Sequence, residues 1–120
     1  MKYKLSTVAI VVMIFVSSCY YDNAEELYPS EPCNTANVTY SGDIQPLVDS
    51  RCNSCHSAAT KSGGVDLEGY TALKVYVDNG KFLSSVTHDG NASTMPPGDK
   101  LIDCSINKIQ QWINDGAPNN

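Results

Sequence analysis

The chain has 120 residues, of which 42% are hydrophobic and 18% are charged, and its formal net charge at pH 7 is −5. This length leaves room for one domain with a modest core. The acidic balance argues against a nucleic-acid partner and favours partner proteins with basic docking surfaces.

The N-terminus has the order of a secretory signal peptide. Lys2 and Lys4 precede the uncharged apolar run 5–16, which is followed by two serines and Cys19. This order predicts that residues 1–18 are removed on export, and the run is short for a membrane-spanning helix. The ending also resembles the lipobox of bacterial lipoproteins. It predicts an acylated Cys19 that anchors an exported protein to a membrane, facing the periplasm or the cell surface. An uncleaved apolar anchor is the alternative.

The segment after the cleavage point is predicted to be a tether. Residues 19–32 are acidic, contain two prolines and show no helical or alternating apolar pattern. Once residues 1–18 are removed, 13 acidic and six basic residues remain, a net charge of −7. The folded domain is predicted to span residues 33–120.

The first helix is predicted over residues 43–52. Asp43 is the expected N-cap, and Pro46 falls in the first turn, where its missing N–H is not needed. The apolar residues of this segment follow a helical period, so they share one face: Ile44, Leu47 and Val48. The helix leads directly into the most specific motif of the chain.

That motif is Cys52-Asn53-Ser54-Cys55-His56. Two cysteines three positions apart with a histidine directly after them are typical of covalent attachment of a c-type haem. The two thiols form thioethers with the haem vinyl groups, and the imidazole ligates the iron. One alternative is a zinc half-site, for which the chain lacks a second pair of ligands at similar spacing. The other is a dithiol redox pair, for which no βαβ pattern is apparent.

Two further helices are predicted before a long loop. Residues 70–79 place Leu73 and Val77 on one face, and Gly80 is the expected stop. Residues 81–88 are predicted to form a short third helix.

The loop 89–98 contains Met95, with two prolines directly after it. It is the only methionine of the sequence outside the predicted signal peptide. A thioether sulfur is a soft, neutral iron ligand, and the prolines restrict the loop. Met95 is therefore predicted to be the second axial ligand. The alternatives are Met95 as a core residue, an open sixth site, or His88 as the ligand. For His88, a surface imidazole beside Asp89 is the simpler interpretation.

The last helix is predicted over residues 103–115, with Gly116 after it and residues 118–120 expected to fray. Its apolar stripe consists of Ile106, Ile109 and Ile113. Trp112 is interpreted either as a core aromatic or as a hydrogen-bond donor to a haem propionate. Basic side chains are also candidates for the propionates, with a solvated surface position as the default: Arg51, Lys74, Lys81 and Lys100.

Two cysteines remain after the lipid and haem cysteines are assigned, namely Cys33 and Cys104. In an oxidising compartment they are predicted to form a disulfide that ties the start of the domain to the last helix. Two unpaired thiols are the alternative.

Residues 40–118 resemble the small class I c-type cytochromes, and more narrowly the lipoprotein cytochrome c domains of Bacteroidetes-type bacteria. The resemblance rests on four stretches: 43–47, 52–56, 95–98 and 109–118. It implies an all-α, cytochrome c-like fold in which three or four helices surround one covalently bound haem c and the first and last helices cross.

By this resemblance, Cys52 and Cys55 carry the thioethers, His56 is the proximal ligand and Met95 the distal one. In one departure, Ile102 stands where similar domains often carry the Ser or Thr that caps the last helix. The predicted function is single-electron transfer between membrane or periplasmic redox partners, with no catalysis by the chain itself. The alternatives are a haem-based ligand sensor or small peroxidase-like enzyme with a labile sixth ligand, and a structural lipoprotein without haem.

Overall fold

A computed structural model describes residues 32–120, and in this part of the chain every regular element is helical. The predicted all-α class is confirmed. Five α-helices follow in order: α1 Gln45–Arg51, α2 Asn53–His56, α3 Tyr70–Asp78, α4 Lys81–Thr87 and α5 Asp103–Asn114. A π-helical turn, Tyr40–Ile44, leads into α1, and a 3-10 turn, Ser62–Gly64, lies between α2 and α3.

The predicted signal peptide, Cys19 and the tether up to residue 31 lie outside the described residues. None of the helices from residue 32 onward is long and apolar enough to cross a membrane.

The first helical segment begins earlier than predicted, at Tyr40. Its cap is Thr39, whose hydroxyl oxygen accepts a hydrogen bond from the Gly42 N–H at 3.1 Å. The Asp43 carboxylate accepts a hydrogen bond from the Thr39 N–H at 3.0 Å. The side chains of Thr39 and Asp43 thus each bond a backbone N–H group of this first turn, as in a capping box. The prediction of Asp43 as the N-cap is therefore wrong, although Pro46 lies in the first turn of α1 as expected.

The predicted helix ends at the start of the Cys52–His56 motif, as expected, and a second short helix follows it. Cys52 has φ −120° and ψ −42°, and it ends α1 and begins α2. The short helix α2 then contains Cys55 and ends at His56. The motif therefore lies at the junction between α1 and α2.

Helices α3 and α4 have the predicted positions. Leu73 and Val77 of α3 are buried, and so are Phe82 and Val86 of α4. Gly80 joins the two helices with a φ of 77°, a left-handed conformation that glycine adopts at no steric cost.

Helix α5 is the predicted last helix, but its buried stripe differs from the prediction. Ile106, Ile109 and Trp112 are buried, Trp112 completely, whereas Ile113 is only partly buried. The Trp112 indole N–H donates to the carbonyl of Pro118 at 2.9 Å. The interpretation of Trp112 as a propionate donor is therefore wrong, because the core and the C-terminal turn occupy both its ring and its N–H.

The C-terminus is anchored, contrary to the expected fraying. Asn120 accepts hydrogen bonds from two backbone N–H groups, those of Tyr40 at 2.8 Å and Ser41 at 2.9 Å. Nearby, the ring of Tyr40 packs edge-on against Tyr70, with centroids 5.2 Å apart, and lies 5.9 Å from that of Trp112. The two ends of the domain therefore meet in one aromatic cluster.

Two more contacts connect α5 to the N-terminal part of the domain, one at Asp43 in the first helical segment and one at Cys33 before it. The Lys108 ammonium donates to the Asp43 carboxylate at 2.8 Å, and this hydrogen bond is the main reason that the pKa of Asp43 lies below its ordinary value. The sulfurs of Cys33 and Cys104 lie 2.13 Å apart, with their Cα atoms 5.4 Å apart, which is the placement that the predicted disulfide requires.

Candidate cofactor-binding site

A cavity of about 430 Å³ opens between α2, α3, α4 and the loop that carries Met95. The four residues predicted to hold the cofactor all line it: Cys52, Cys55, His56 and Met95. Most of the remaining wall is apolar: Val65, Leu67, Tyr76, Phe82, Val86, Pro96 and Pro97. Its size and character fall within the range of small-molecule and cofactor sites.

The two cysteines and His56 reach the cavity from one turn of backbone. The Cys52 carbonyl accepts from the N–H of Cys55 at 3.0 Å and from the N–H of His56 at 2.9 Å. These bonds bring the two thiols and the imidazole to the same wall, with Cys52 and His56 half-buried and Cys55 exposed. A short helix of rigid geometry thus presents all three groups together.

The imidazole of His56 is oriented by a backbone group. Its Nδ1 lies 3.3 Å from the carbonyl oxygen of Val65. Because a carbonyl can only accept, Nδ1 is the donor and the neutral ring keeps its lone pair on Nε2. The N–H of Leu67 donates to the His56 carbonyl at 2.8 Å. The segment 65–67 is therefore hydrogen-bonded to both the side chain and the backbone of His56. This is the arrangement in which a histidine is ready to ligate a metal through Nε2.

Met95 reaches the same cavity from a distant part of the sequence. Its N–H donates to the carbonyl of Ser85 in α4 at 3.0 Å, and its side chain is half-buried. Pro96 and Pro97 continue the cavity wall beyond it, and the Met95–Pro96 peptide bond is cis. Met95 lines this cavity and is not part of the main core cluster, which does not support the alternative interpretation of Met95 as an ordinary core residue.

His88 lies outside the cavity lining, and its Nε2 is 3.2 Å from the carbonyl oxygen of Met95. The simpler interpretation, a surface imidazole, is incomplete, because the residue is only partly exposed and its ring is hydrogen-bonded. Sequence reasoning missed this contact. No periodicity or motif connects two loop residues seven positions apart.

The charged residues at the cavity are basic. Arg51 and Lys81 line it, and none of the described lining residues is acidic. Lys74 pairs instead with Asp78, and Lys100 does not contribute to the wall. Arg51 and Lys81 are therefore the two basic candidates that the fold brings to the site.

Burial raises the pKa of the Cys52 thiol to about 11. The free side chain is therefore protonated at neutral pH. Reactive dithiol pairs have lowered pKa values, so this environment disfavours the dithiol redox interpretation. Between residues 32 and 120, the structure shows no group of three or more His, Cys, Asp or Glu side chains arranged to hold a metal ion.

Comparisons with protein-family models, with curated proteins and with solved structures find no significant match to this chain. Function is therefore inferred from the motif and from the cavity that it lines.

Proposed function

We propose that this chain is a monohaem c-type cytochrome that transfers single electrons between redox proteins at a membrane. One observation carries the proposal. Met95, which is 39 positions beyond His56 in the sequence, lines the same apolar cavity as His56 and the two motif cysteines. Two thiols, a free imidazole nitrogen and a thioether around one cavity are the groups that would hold a covalently attached haem.

Each residue has a stated role in this proposal. The sulfurs of Cys52 and Cys55 would hold the haem covalently, and Nε2 of His56 and the sulfur of Met95 would ligate its iron. The bound haem supplies the one-electron redox chemistry. The Val65 carbonyl fixes the orientation of His56, and so keeps Nε2 as the ligating atom.

The remaining lining residues act on the electrostatics of the site. The apolar wall keeps water from its side of the cavity, and apolar surroundings would favour the reduced iron centre, which carries less net charge than the oxidised one. Arg51 and Lys81 provide positive charge for the propionates of the cofactor. With Cys55 and Pro97 both exposed, one side of the cavity is open to solvent, which suits electron exchange with a docked partner.

Export and anchoring belong to the same proposal. Attachment of haem through thioethers takes place outside the cytoplasm, which agrees with the signal peptide predicted at residues 1–18. The lipid on Cys19 would keep the domain at its membrane, facing the periplasm or the cell surface, and residues 20–32 would act as the tether. Its partners are redox proteins with basic docking surfaces, since the mature chain is acidic.

The decisive experiment is expression in a host with cytochrome c maturation machinery, followed by intact-mass measurement and an absorption spectrum. We expect the mature chain plus one haem plus lipid, and the spectrum of a low-spin, Met-ligated haem. The variant C52S/C55S should be colourless. The matched control C33S/C104S also removes two cysteines, and it should keep its haem.

Two results would contradict the proposal. A parent protein that weighs no more than its processed chain plus lipid would exclude covalent haem. A haem protein that binds CO rapidly in the reduced state, without displacement of Met95, would favour the sensor or peroxidase-like alternative.

A further inference from the structure

Both backbone groups of Met95 are bonded to the end of α4 and the residue after it. The N–H donates to the carbonyl of Ser85 at 3.0 Å, and the carbonyl accepts from Nε2 of His88 at 3.2 Å. The first bond joins two backbone groups. The second depends on one side chain, His88, and a substitution there can remove it.

His88 is placed for this contact by the way α4 ends. It caps the helix in a left-handed conformation, with φ 60° and ψ 40°, and its N–H bonds to the Ser84 carbonyl at 3.1 Å. The next residue, Asp89, accepts hydrogen bonds from the Ser84 hydroxyl and from the N–H of Asn91. A left-handed conformation is uncommon for a residue other than glycine, and it persists where the surrounding structure requires it. Hydrogen bonds of His88 and of Asp89 thus hold the turn that follows α4, and with it the imidazole, in place.

We infer that His88 is a positioning residue that holds the Met95 loop so that the sulfur of Met95 stays at the cofactor. The inference rests on the proposed function, in which Met95 ligates the haem iron. With its N–H and its carbonyl both bonded to the same short segment, the Met95 backbone has little freedom, and only side-chain rotations remain to place the sulfur. Without the His88 bond, the loop is fastened on the N–H side alone and the sulfur leaves the iron more often.

The test measures how easily an added ligand replaces Met95 in the ferric holoprotein. In H88F, which keeps a ring of similar size but has no donor, we expect imidazole to bind about three- to tenfold more tightly than in the parent, as the loss of one hydrogen bond predicts. H88Q, which retains an N–H donor, should stay close to the parent. The haem content of all variants should be unchanged by mass, and the reduction potential of H88F should shift downward.

Two controls separate this role from a general effect on the fold. H88G relieves the left-handed backbone but removes the donor, so it should behave like H88F. In a Met95→Ala background there is no sulfur to hold, and H88F should then leave imidazole affinity unchanged.

A measurement on the parent protein covers the case in which a variant does not fold. NMR of the protein labelled with nitrogen-15 should find a proton on Nε2 of His88 that is hydrogen-bonded to the Met95 carbonyl. A deprotonated Nε2 would overturn the inference.

The outcomes distinguish this inference from the proposed function. If the parent is Met-ligated and H88F binds imidazole as the parent does, His88 does not position Met95, while the cytochrome assignment stands. If H88G behaves like the parent, the backbone conformation and not the hydrogen bond is what matters, and the inference is again wrong. If the parent carries no haem or no Met ligation, the proposed function fails and takes this inference with it.

Discussion

Replacing Cys33 and Cys104 together tests how strongly the ends of the domain are tied. The two residues are 71 positions apart in the sequence, and their sulfurs lie at bonding distance. In the chain-entropy treatment, a crosslink over a loop of this length removes enough freedom from the unfolded chain to stabilise the folded state by about 4 kcal/mol. We therefore expect the C33S/C104S variant to lose up to about 4 kcal/mol of its free energy of unfolding.

The loss should arise in the unfolded state, because other contacts keep the native N-terminal segment in place. Val38 and Tyr40 are buried, and the Tyr40 N–H is bonded to Asn120. The proposed haem attachment at Cys52 and Cys55 closes a loop of only a few residues, so it does not restrict the same long stretch. The variant is expected to fold to the same structure with lower stability.

The assay is equilibrium unfolding of the mature holoprotein in guanidinium chloride. Trp112 is the only tryptophan and is completely buried, so its fluorescence reports on α5 as the core opens. With an m-value typical of a domain of this size, the midpoint should fall by about 1 M. A thiol reductant should lower the parent to the same midpoint and leave the variant unchanged, since thioether bonds resist thiol reductants.

Equal midpoints for the oxidised parent and the variant would refute the reasoning, because the two cysteines would then not constrain the unfolded chain. A variant that cannot fold at all would refute it differently. It would show that the bridge is required to form the native state and does not only restrict the unfolded one.

Three further substitutions test the site and the core. Met95→Ala should keep the haem attached, lower the reduction potential and open the iron to added imidazole, as measured by mass, redox titration and spectral titration. Asp43→Asn should cost about 1 kcal/mol at pH 7 by chemical unfolding, because it weakens the bond to Lys108. That bond lowers the pKa of Asp43, so the difference from the parent should be full above the ordinary value of 3.8 and vanish as the pH falls through the lowered folded-state pKa. Trp112→Phe should cost about 2 kcal/mol by the same assay and leave the haem spectrum unchanged, since the indole bonds to Pro118 and not to the cofactor.

Each of these expectations has a contrary result. A Met95→Ala protein with the potential and spectrum of the parent would mean that the sulfur is not bound to iron. A stability difference for Asp43→Asn that persists at low pH would show that charge on the carboxylate is not the cause, and Asp99→Asn, an exposed loop substitution, is the matched control. A changed haem spectrum in Trp112→Phe would place the indole closer to the cofactor than the structure does.

Local patterns in the sequence were sufficient to predict the helical class and most helix positions. Helices α3, α4 and α5 occur where apolar residues recur at helical spacing, and Gly80 and Gly116 follow two of their ends. Such patterns work because periodicity and glycine stops act within one or two turns of backbone. The start of the first segment was mispredicted for an equally local reason, since Thr39 and Asp43 are both good capping residues and the chain uses Thr39 as the cap.

The residues of the site likewise fall into those that a local motif identifies and those that only the tertiary structure brings there. The spacing of Cys52, Cys55 and His56 is a property of five consecutive residues, so the sequence alone identifies them as one chemical unit. That Met95 shares their cavity, and that His88 bonds to the Met95 carbonyl, depends on how α4 packs against the rest of the domain.

The choice of Trp112 over Ile113 for the core and the anchoring of Asn120 were likewise decided by tertiary structure. Periodicity places Ile113 on the apolar stripe and cannot tell that the C-terminal turn folds back under the indole. Short-range order follows from the neighbouring residues, whereas contacts between distant segments are chosen by the packing of the whole domain, which no single stretch of the sequence contains.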